Sequence, residues 1–474
     1  MKKILRSKIL LLLAVFFALG LLAWILFFGV IFPKDMRRDF KRLYSEDYDT
    51  VVLSMYPMNN CPEERYTYWR GMDAVVTEHE IPNLFTLKCY LKMLGHKGTV
   101  TNVYLGVRPE ELDASELAPL LLAYPGTKFE VILPHPQIDY WLSLSTEECD
   151  NLLQTYRDFI PPLLNHFTIS PYFFGGTEWL VCNPANYEDT FETTPQATET
   201  LMLHSDVDHE FVITSATKPS PTAPIDALAD LIVTYREQPV EYPDLSDWNI
   251  VFLGDSVIGN YTNTTSIPEV VGGLTKANIY NLGLGGGSAS KYPEREDYSL
   301  TDIVNALVTA NPQALPSDKQ VYTGMTELLA DNPQGAYCFV INYGLNDYFA
   351  GAPIASDDPY DRYTFSGGYR QAIQTLREAY PDACILLNTP NYTVNFNYGM
   401  DYRFDQQSTI VDYVNTLQAL AKELNVGLLD NYNELGITKE NFPSYLADGC
   451  HPNETGRFLI GKRIALKLDE MLTE

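Results

Sequence analysis

The longest run of apolar residues lies near the start of the chain. Residues 9–32 read ILLLLAVFFALGLLAWILFFGVIF and include no charged side chain. A helix rises about 1.5 Å per residue, so this run spans ~36 Å and can cross a hydrocarbon core of ~30 Å with some tilt. The pattern predicts an uncleaved transmembrane signal anchor at 9–32, behind a short cytoplasmic tail at 1–8.

A cleaved signal peptide is the alternative interpretation, because Ala18-Leu19-Gly20 offers a small-x-small site. Twelve apolar residues follow that site, whereas the apolar core of a signal peptide is about 7 to 15 residues long. Four Lys or Arg precede the run and five follow it, so the positive-inside rule is nearly neutral. We expect an extracytoplasmic body, since no later segment could form a second span.

Beyond the anchor, short apolar runs alternate with amphipathic stretches. The runs of strand type lie at 50–57, 100–107, 128–135, 168–175 and 210–216. Helical patterns lie between several of them, for instance at 111–123 and 146–166. Such alternation is typical of a mostly parallel sheet covered by helices, so we predict an α/β domain over 45–240. No motif in this domain names a ligand, and its role is left open.

A second series of the same kind follows a stretch rich in helix and strand breakers, TKPSPTAP at 217–224. We place the domain boundary near residue 245, after a helical segment and the turn-rich residues 239–247. The strands and helices of this series lie at 249–254, 277–283, 337–344, 366–379, 383–390, 405–423, 426–430 and 454–473. They predict a doubly wound sheet over 246–474, with a ligand site beyond the carboxyl ends of its strands.

Charge is unevenly distributed along the chain. Residues 1–42 carry nine Lys or Arg and two acidic residues, which leaves 24 basic and 59 acidic residues for the remainder. The formal net charge of the whole chain is −28. A body this acidic repels phosphate backbones, so we expect no nucleic-acid partner.

Cysteine and histidine spacing does not indicate a metal centre. The seven cysteines have no Cys-x-x-Cys or Cys/His metal spacing, and we interpret them as small core residues, Cys450 among them. The segment HSDVDH at 204–209 could supply metal ligands, but a polar turn before a strand is its commoner role. We therefore expect neither a metal nor another cofactor.

Reactive side chains follow two strands of the second series. Ser256 ends the motif GDS at 254–256, where a turn from strand to helix can expose a hydroxyl at the sheet edge as a nucleophile requires. A helix-capping serine is the ordinary alternative. Asn346 lies in GLND at 344–347, and its amide could donate to an oxyanion or belong to a simple turn.

A glycine-rich turn follows the second strand of this series, NLGLGGGS at 281–288. Glycines let backbone N–H groups approach a ligand closely, which suits a developing oxyanion. Phosphate binding is the other interpretation of such a turn. It is the weaker one, because the turn does not follow the first strand and the chain is acidic.

The segment DGCHPN at 448–453 supplies a possible base. His451 is the only histidine after the predicted boundary, and Asp448 stands three residues before it. A carboxylate at that spacing can hold one ring nitrogen while the other nitrogen accepts a serine proton. An aspartate at a helix start beside an incidental histidine is the alternative.

The four blocks, in this order, resemble the SGNH (GDSL) hydrolase superfamily over residues 246–474. The resemblance implies a flavodoxin-like three-layer domain with a five-stranded parallel sheet. It also implies Ser256 as the nucleophile, His451 as general base and acid, and Asp448 as the residue that orients His451. The oxyanion hole would combine the amides of Ser256 and Gly286 with the side chain of Asn346.

The position of Gly286 in that scheme depends on register. It stands five residues after Asn281, where the family's second block places its glycine, and the neighbouring glycines leave an uncertainty of one position. Asp255 and Asp347 also match the family's motifs. We expect both to brace their turns rather than to react.

Three hypotheses of function follow from the sequence. The first is a membrane-anchored serine esterase that removes acyl groups, with acetyl favoured, from a cell-envelope or extracellular glycan or another small ester. The second is an O-acyltransferase of envelope polymers, in which a sugar hydroxyl replaces water at the same residues. The third is an envelope binding or assembly protein with a vestigial site, which the intact motifs disfavour.

Aromatic residues bear on the first hypothesis. Clusters at 66–69, 140–141 and 391–402 suit the faces of sugar rings, although packing is their ordinary role. The cluster at 391–402 follows the fourth strand of the second series. It is therefore placed to overhang the predicted site.

Overall fold

A computed structural model describes most of the chain from residue 34 onward. The described residues are 34–56, 74–77, 79–134, 136–164, 168–169, 178–188, 193–194, 197, 223–292, 299–394 and 408–472. The predicted tail and anchor, the strand at 210–216, the segment 204–209 and the aromatic cluster at 66–69 lie outside them. No helix within the described residues has the length and apolarity needed to cross a membrane.

Strands and helices alternate through the described chain. The strands are β1 Thr50–Ser54, β2 Ala74–Val76, β3 Asn102–Gly106, β4 Lys128–Ile132, β5 Thr168–Ile169, β6 Trp248–Gly254, β7 Asn278–Gly283, β8 Ala336–Asn342, β9 Cys384–Asn388 and β10 Gly427–Leu429. The helices are α1 Lys34–Ser45, α2 Leu84–Lys97, α3 Ala114–Leu122, α4 Ile138–Ser143, α5 Thr146–Leu164, α6 Glu178–Val181, α7 Ala223–Glu237, α8 Ser256–Gly259, α9 Ile267–Thr275, α10 Leu300–Val308, α11 Gln320–Asp331, α12 Leu345–Ala350, α13 Phe365–Ala379, α14 Ile410–Leu424, α15 Asn431–Glu434 and α16 Glu454–Leu472.

The first compact unit is built on a parallel sheet in the order β2-β1-β3-β4-β5. Its strand β1, which lies between β2 and β3, is apolar on both faces, with Val51, Val52 and Leu53 fully buried. Such a run indicates a strand covered by helices on both sides. The predicted α/β character and the strands near 50, 100 and 128 are confirmed. Strand β2 was missed, because three apolar residues are too short a run to predict a strand.

The second compact unit is built on a five-stranded parallel sheet in the order β7-β6-β8-β9-β10. Four consecutive residues of β6, from Ile250 to Leu253, are fully buried. The five strands fall where the sequence predicts them, which confirms the doubly wound sheet. Because all five are parallel, their carboxyl ends lie at one edge.

Two segments that precede the predicted boundary near residue 245 group with the second unit. Contacts assign to it the described residues within 136–143 and 176–190, as well as those from 227 onward. Glu178 of α6 accepts hydrogen bonds from Lys462 of α16 at 2.7 Å and from the Tyr235 hydroxyl of α7 at 2.7 Å. Long-range polar contacts of this kind leave no trace in local sequence patterns.

Both units share one strand order. Numbered along each unit, the strands lie as 2-1-3-4-5, the flavodoxin-like arrangement. Ser54 ends β1 and Gly254 ends β6, so Tyr56 of the first unit stands where Ser256 stands in the second. Tyr56 is buried, and its burial raises the pKa of the phenol. The equivalent position in the first unit therefore offers no serine hydroxyl.

Candidate active site

Ser256 begins the short helix α8 directly after β6, the strand that lies between β7 and β8 in the second unit. Asp255 caps this helix, since its carboxylate accepts the Val257 backbone N–H at 2.9 Å. The helix then packs against β7 without room for a side chain: a Cβ on Gly259 would lie 2.5 Å from the carbonyl carbon of Gly283. The cap and this close contact fix the turn that presents the serine hydroxyl at the sheet edge.

His451 reaches Ser256 from the loop before α16. Its Nε2 lies 2.8 Å from the Ser256 Oγ, and its Nδ1 lies 2.7 Å from Asp448 Oδ2. The other oxygen of Asp448 accepts the backbone N–H groups of His451 at 2.7 Å and Cys450 at 3.0 Å. The structure thus brings together the three predicted residues in the hydrogen-bond order that nucleophilic catalysis requires.

Asp448 is held in its ionised form. Its partial burial would raise the carboxyl pKa, but the hydrogen bonds from His451 and Cys450 outweigh burial and lower that pKa below the ordinary value. An ionised carboxylate can fix the imidazole tautomer and stabilise the imidazolium that forms when the serine loses its proton.

The glycine-rich turn after β7 forms one wall of the site. The Gly287 N–H donates to the Leu284 carbonyl at 2.8 Å, and Gly286, the third residue of this turn, has φ +78°. That geometry is a type II turn, whose third position favours glycine. Gly285 and Gly286 both line the cavity in front of Ser256. The predicted oxyanion-hole glycine, Gly286, is therefore one of two glycines at this wall.

Asn346, the second residue of α12, lies beside that turn. Its side-chain nitrogen donates to the Gly287 carbonyl at 2.8 Å. An amide nitrogen carries two hydrogens, so this bond positions the group and uses only one of them. Asn346 also lines the cavity, as an oxyanion donor must.

These side chains surround a cavity of about 500 Å³. Its lining residues are mostly polar or small: Ser256, Gly259, Asn260, Gly285, Gly286, Lys319, Gln320, Leu345, Asn346, Phe349, Cys450 and His451. No sequence pattern singles out Asn260, Lys319, Gln320 or Phe349. Lys319 and Gln320 follow no strand, so the rule about carboxyl ends does not point to them.

Asp255 and Asp347 lie behind the site rather than in it. Asp347 is buried and accepts hydrogen bonds from the backbone N–H groups of Ala289 and Ser290, both at 2.9 Å. Asp255 is buried as well, and burial raises its pKa to about 7. Both side chains hold turns, which agrees with the role expected for them.

Arg457 is a positioning residue that sequence reasoning missed. It is 1% exposed, and it donates to the backbone carbonyls of Thr265 at 2.9 Å and Pro452 at 2.8 Å. It also pairs with Glu454 at 2.7 Å and lies over the Tyr261 ring at 3.8 Å. One guanidinium therefore ties the loop after the serine helix to the chain beside His451. An Arg three residues after a Glu in a helix is too common a pattern to reveal this.

No metal-ligating cluster was found in the part of the chain that the structure describes. The HSDVDH segment at 204–209 lies outside those residues. The cavity lining supplies hydroxyl, amide, imidazole and ammonium groups. These groups suit acyl transfer to a serine.

The C-terminal half of the chain matches a known family. Residues 252–457 match the GDSL-like Lipase/Acylhydrolase family, and they include the serine, the glycine-rich turn, Asn346 and His451. This match identifies the segment 252–457, which is less than half of the chain, as an ester hydrolase of the GDSL type. No curated protein matches the chain.

Solved structures similar to this GDSL segment span about half of the chain. They include a protein from Lactobacillus plantarum, with 19% identity, a TM-score of 0.36, and coverage of 49% of this chain and 98% of that one. An aryl esterase from M. smegmatis has 16% identity, a TM-score of 0.33, and coverage of 47% and 99%. A carbohydrate acetylesterase from Sinorhizobium meliloti has 15% identity, a TM-score of 0.31, and coverage of 47% and 99%.

Burial of Asp255 predicts that the stability of the second unit depends on pH. The folded protein holds this proton up to about pH 7, while the unfolded chain releases it near 3.8, so stability is lost as pH rises through that window. In urea unfolding, the free energy of unfolding of D255N minus that of the wild type should therefore rise by roughly 2–3 kcal/mol between pH 5 and pH 8.

The control for this measurement is D244N. The Lys276 side chain lowers the pKa of the exposed Asp244 to about 2, which is below the window tested. D244N should therefore show no such gain. An equal pH dependence of wild type and D255N would contradict the assignment to Asp255.

Replacement of Arg457 should impair catalysis beyond its effect on stability. R457K retains the charge but cannot reach Thr265, Pro452 and Glu454 together, so His451 loses its fixed position. At a temperature where the variant is folded, we expect the kcat for p-nitrophenyl acetate to fall about tenfold, with a smaller change in KM.

R463K is the matched control on the same helix. Arg463 pairs with Glu434 at the surface and does not line the cavity, so full activity is expected. A folded R457K enzyme with the wild-type kcat would show that Arg457 serves stability alone.

Proposed function

We propose that this protein is a membrane-anchored serine esterase that removes short acyl groups, acetyl above all, from a cell-envelope or extracellular glycan. The observation that carries the proposal is the hydrogen-bonded series Ser256, His451 and Asp448 at the wall of one cavity. The predicted anchor at 9–32 would keep the catalytic unit at the envelope, and this placement is part of the proposal.

Acylation of the serine is the first step of the proposed reaction. His451 Nε2 removes the Ser256 proton while Oγ attacks the ester carbonyl carbon, and the carbonyl oxygen becomes an oxyanion. The amides of Ser256 and Gly286 and the side chain of Asn346 stabilise this oxyanion. The tetrahedral intermediate then collapses, and the alcohol leaves with the proton from His451.

Deacylation repeats these steps with water. His451 removes a proton from water, whose oxygen attacks the acyl-enzyme carbonyl. Collapse of the second intermediate releases the carboxylic acid and returns the proton to Ser256. Asp448 keeps the imidazole oriented through both halves and stabilises its charged form.

The cavity lining favours a short acyl group and a polar alcohol. The larger apolar side chains of the lining are those of Leu345 and Phe349. The amide groups of Asn260, Gln320 and Asn346 lie among them. A long acyl chain needs a continuous apolar wall, because each buried methylene contributes about 0.8 kcal/mol only when it leaves water. Sugar hydroxyls, in contrast, can form hydrogen bonds with these amide groups, and the ring of Phe349 lies among them.

The experiment is hydrolysis of p-nitrophenyl acetate by the full-length chain. S256A and H451A should each lower kcat by about four orders of magnitude, and D448N by roughly two to four. H79A is the matched control, because His79 belongs to the first unit, pairs with Asp39 at 3.2 Å and does not line the cavity. That variant should retain full activity.

Other outcomes would contradict the proposal. A single burst of p-nitrophenol without turnover would favour the O-acyltransferase, since water would then fail to resolve the acyl-enzyme. Absence of any Ser256-dependent reaction would favour the binding or assembly protein. Release of acetate from acetylated glycans, compared with fatty-acyl esters, tests the proposed substrate.

A further inference from the structure

We infer that Asn260 selects esters whose alcohol portion carries a hydroxyl on the carbon next to the ester, as the ring of a sugar does. This inference rests on the proposed esterase function and specifies the substrate of the same site. Asn260 lines the catalytic cavity together with Ser256 and His451. Its side chain therefore borders the space in which the ester must lie.

The amide of Asn260 is available for a ligand. Within the described residues three side-chain amides line the cavity, and two of them already donate to the backbone. Asn346 donates to the Gly287 carbonyl at 2.8 Å, and Gln320 donates to the Asn281 carbonyl at 3.2 Å. The Asn260 side chain has no hydrogen bond to another residue in the described part of the chain. It can therefore offer both donor hydrogens and its acceptor oxygen to a substrate.

The short helix α8 sets the distance between this amide and the nucleophile. The Asn260 backbone N–H donates to the Ser256 carbonyl at 3.1 Å, so the two residues are one helical turn apart. Helical residues at this spacing share one face, with Cβ atoms about 5–6 Å apart, and their side chains lean toward the helix N-terminus. The amide of Asn260 therefore leans toward Ser256 and can reach atoms that adjoin the ester bond.

The glycine-rich turn leaves the space that this side chain occupies. A Cβ on Gly285 would lie 2.6 Å from Asn260 Oδ1. Among the described residues outside its own chain neighbours, only Asn260 has atoms within 4 Å of that position. Gly285 and Gly286 form the wall at which the oxyanion is expected. The Asn260 amide thus lies along the wall that faces the reacting carbonyl.

The proposed acyl group determines which part of the substrate this amide meets. An acetyl group has one hydrogen-bonding atom, its carbonyl oxygen, and the oxyanion hole binds that atom. A hydroxyl that pairs with Asn260 must therefore belong to the alcohol portion of the ester. Asn260 is exposed, which leaves space for the remainder of a sugar ring beside it.

The test uses three small esters that differ in the position of one hydroxyl. Hydroxycyclohexyl acetate carries it on the ring carbon next to the ester, cyclohexyl glycolate carries it in the acyl group, and cyclohexyl acetate lacks it. The full-length enzyme should show a higher kcat/KM for hydroxycyclohexyl acetate than for cyclohexyl acetate. For Asn260→Ala and Asn260→Leu we expect this kcat/KM to fall roughly fivefold to tenfold, because one neutral hydrogen bond is lost. The other two esters should change less than twofold.

The controls separate a substrate contact from an effect on the fold. Asn260 is exposed and has α-helical backbone angles, so both substitutions should leave the melting temperature unchanged. Asn305→Leu changes an exposed asparagine of α10 that does not line the cavity, and it should alter none of the three rates. An equal loss on all three esters would assign Asn260 to the oxyanion hole and overturn the inference. A loss confined to the glycolate, or no loss on any ester, would overturn it as well.

The inference and the proposed function fail in different ways. Hydrolysis of p-nitrophenyl acetate that depends on Ser256, with the same preference for hydroxycyclohexyl acetate in the wild type and Asn260→Ala, would overturn the inference alone. Absence of Ser256-dependent hydrolysis of p-nitrophenyl acetate would overturn the function and the inference with it.

Discussion

The hydrogen bond between Ser256 and His451 joins residues 195 positions apart, and the second unit is arranged around it. Local contacts at each end of this bond hold the two side chains in place. The serine depends on the Asp255 cap and on the contact of Gly259 with β7, while the histidine depends on Asp448. A shift of about 1 Å in one of these loops would separate the pair and cost a large part of the rate.

The order of the strands does not by itself determine whether a unit carries catalytic residues. Both have parallel strands in the order 2-1-3-4-5, yet only the second has a serine two residues after the end of its first strand. In the first unit Tyr56 occupies that position and is buried. Chemistry therefore resides in the loops at the carboxyl edge, and the shared sheet supplies positions for them.

The features of the second unit that depend on residues close together in the sequence could be predicted. Its five strands are short apolar runs, and Asp448 and His451 stand three residues apart in one loop, so spacing alone indicated their contact. Contacts made across the fold were not predictable. Glu178 with Lys462, and Arg457 with Thr265, are pairs of common polar residues whose partners lie far away in sequence. The cavity position of Lys319 is likewise a result of tertiary packing.

The most direct test of the central claim is covalent labelling of the serine that the structure places against His451. The full-length protein would be treated with a fluorophosphonate, digested, and mapped by mass spectrometry. The account predicts one stoichiometric adduct on Ser256, which D448N slows because its imidazole is no longer held as a base. An adduct on another residue, or a rate of labelling at Ser256 that is independent of His451, would contradict it.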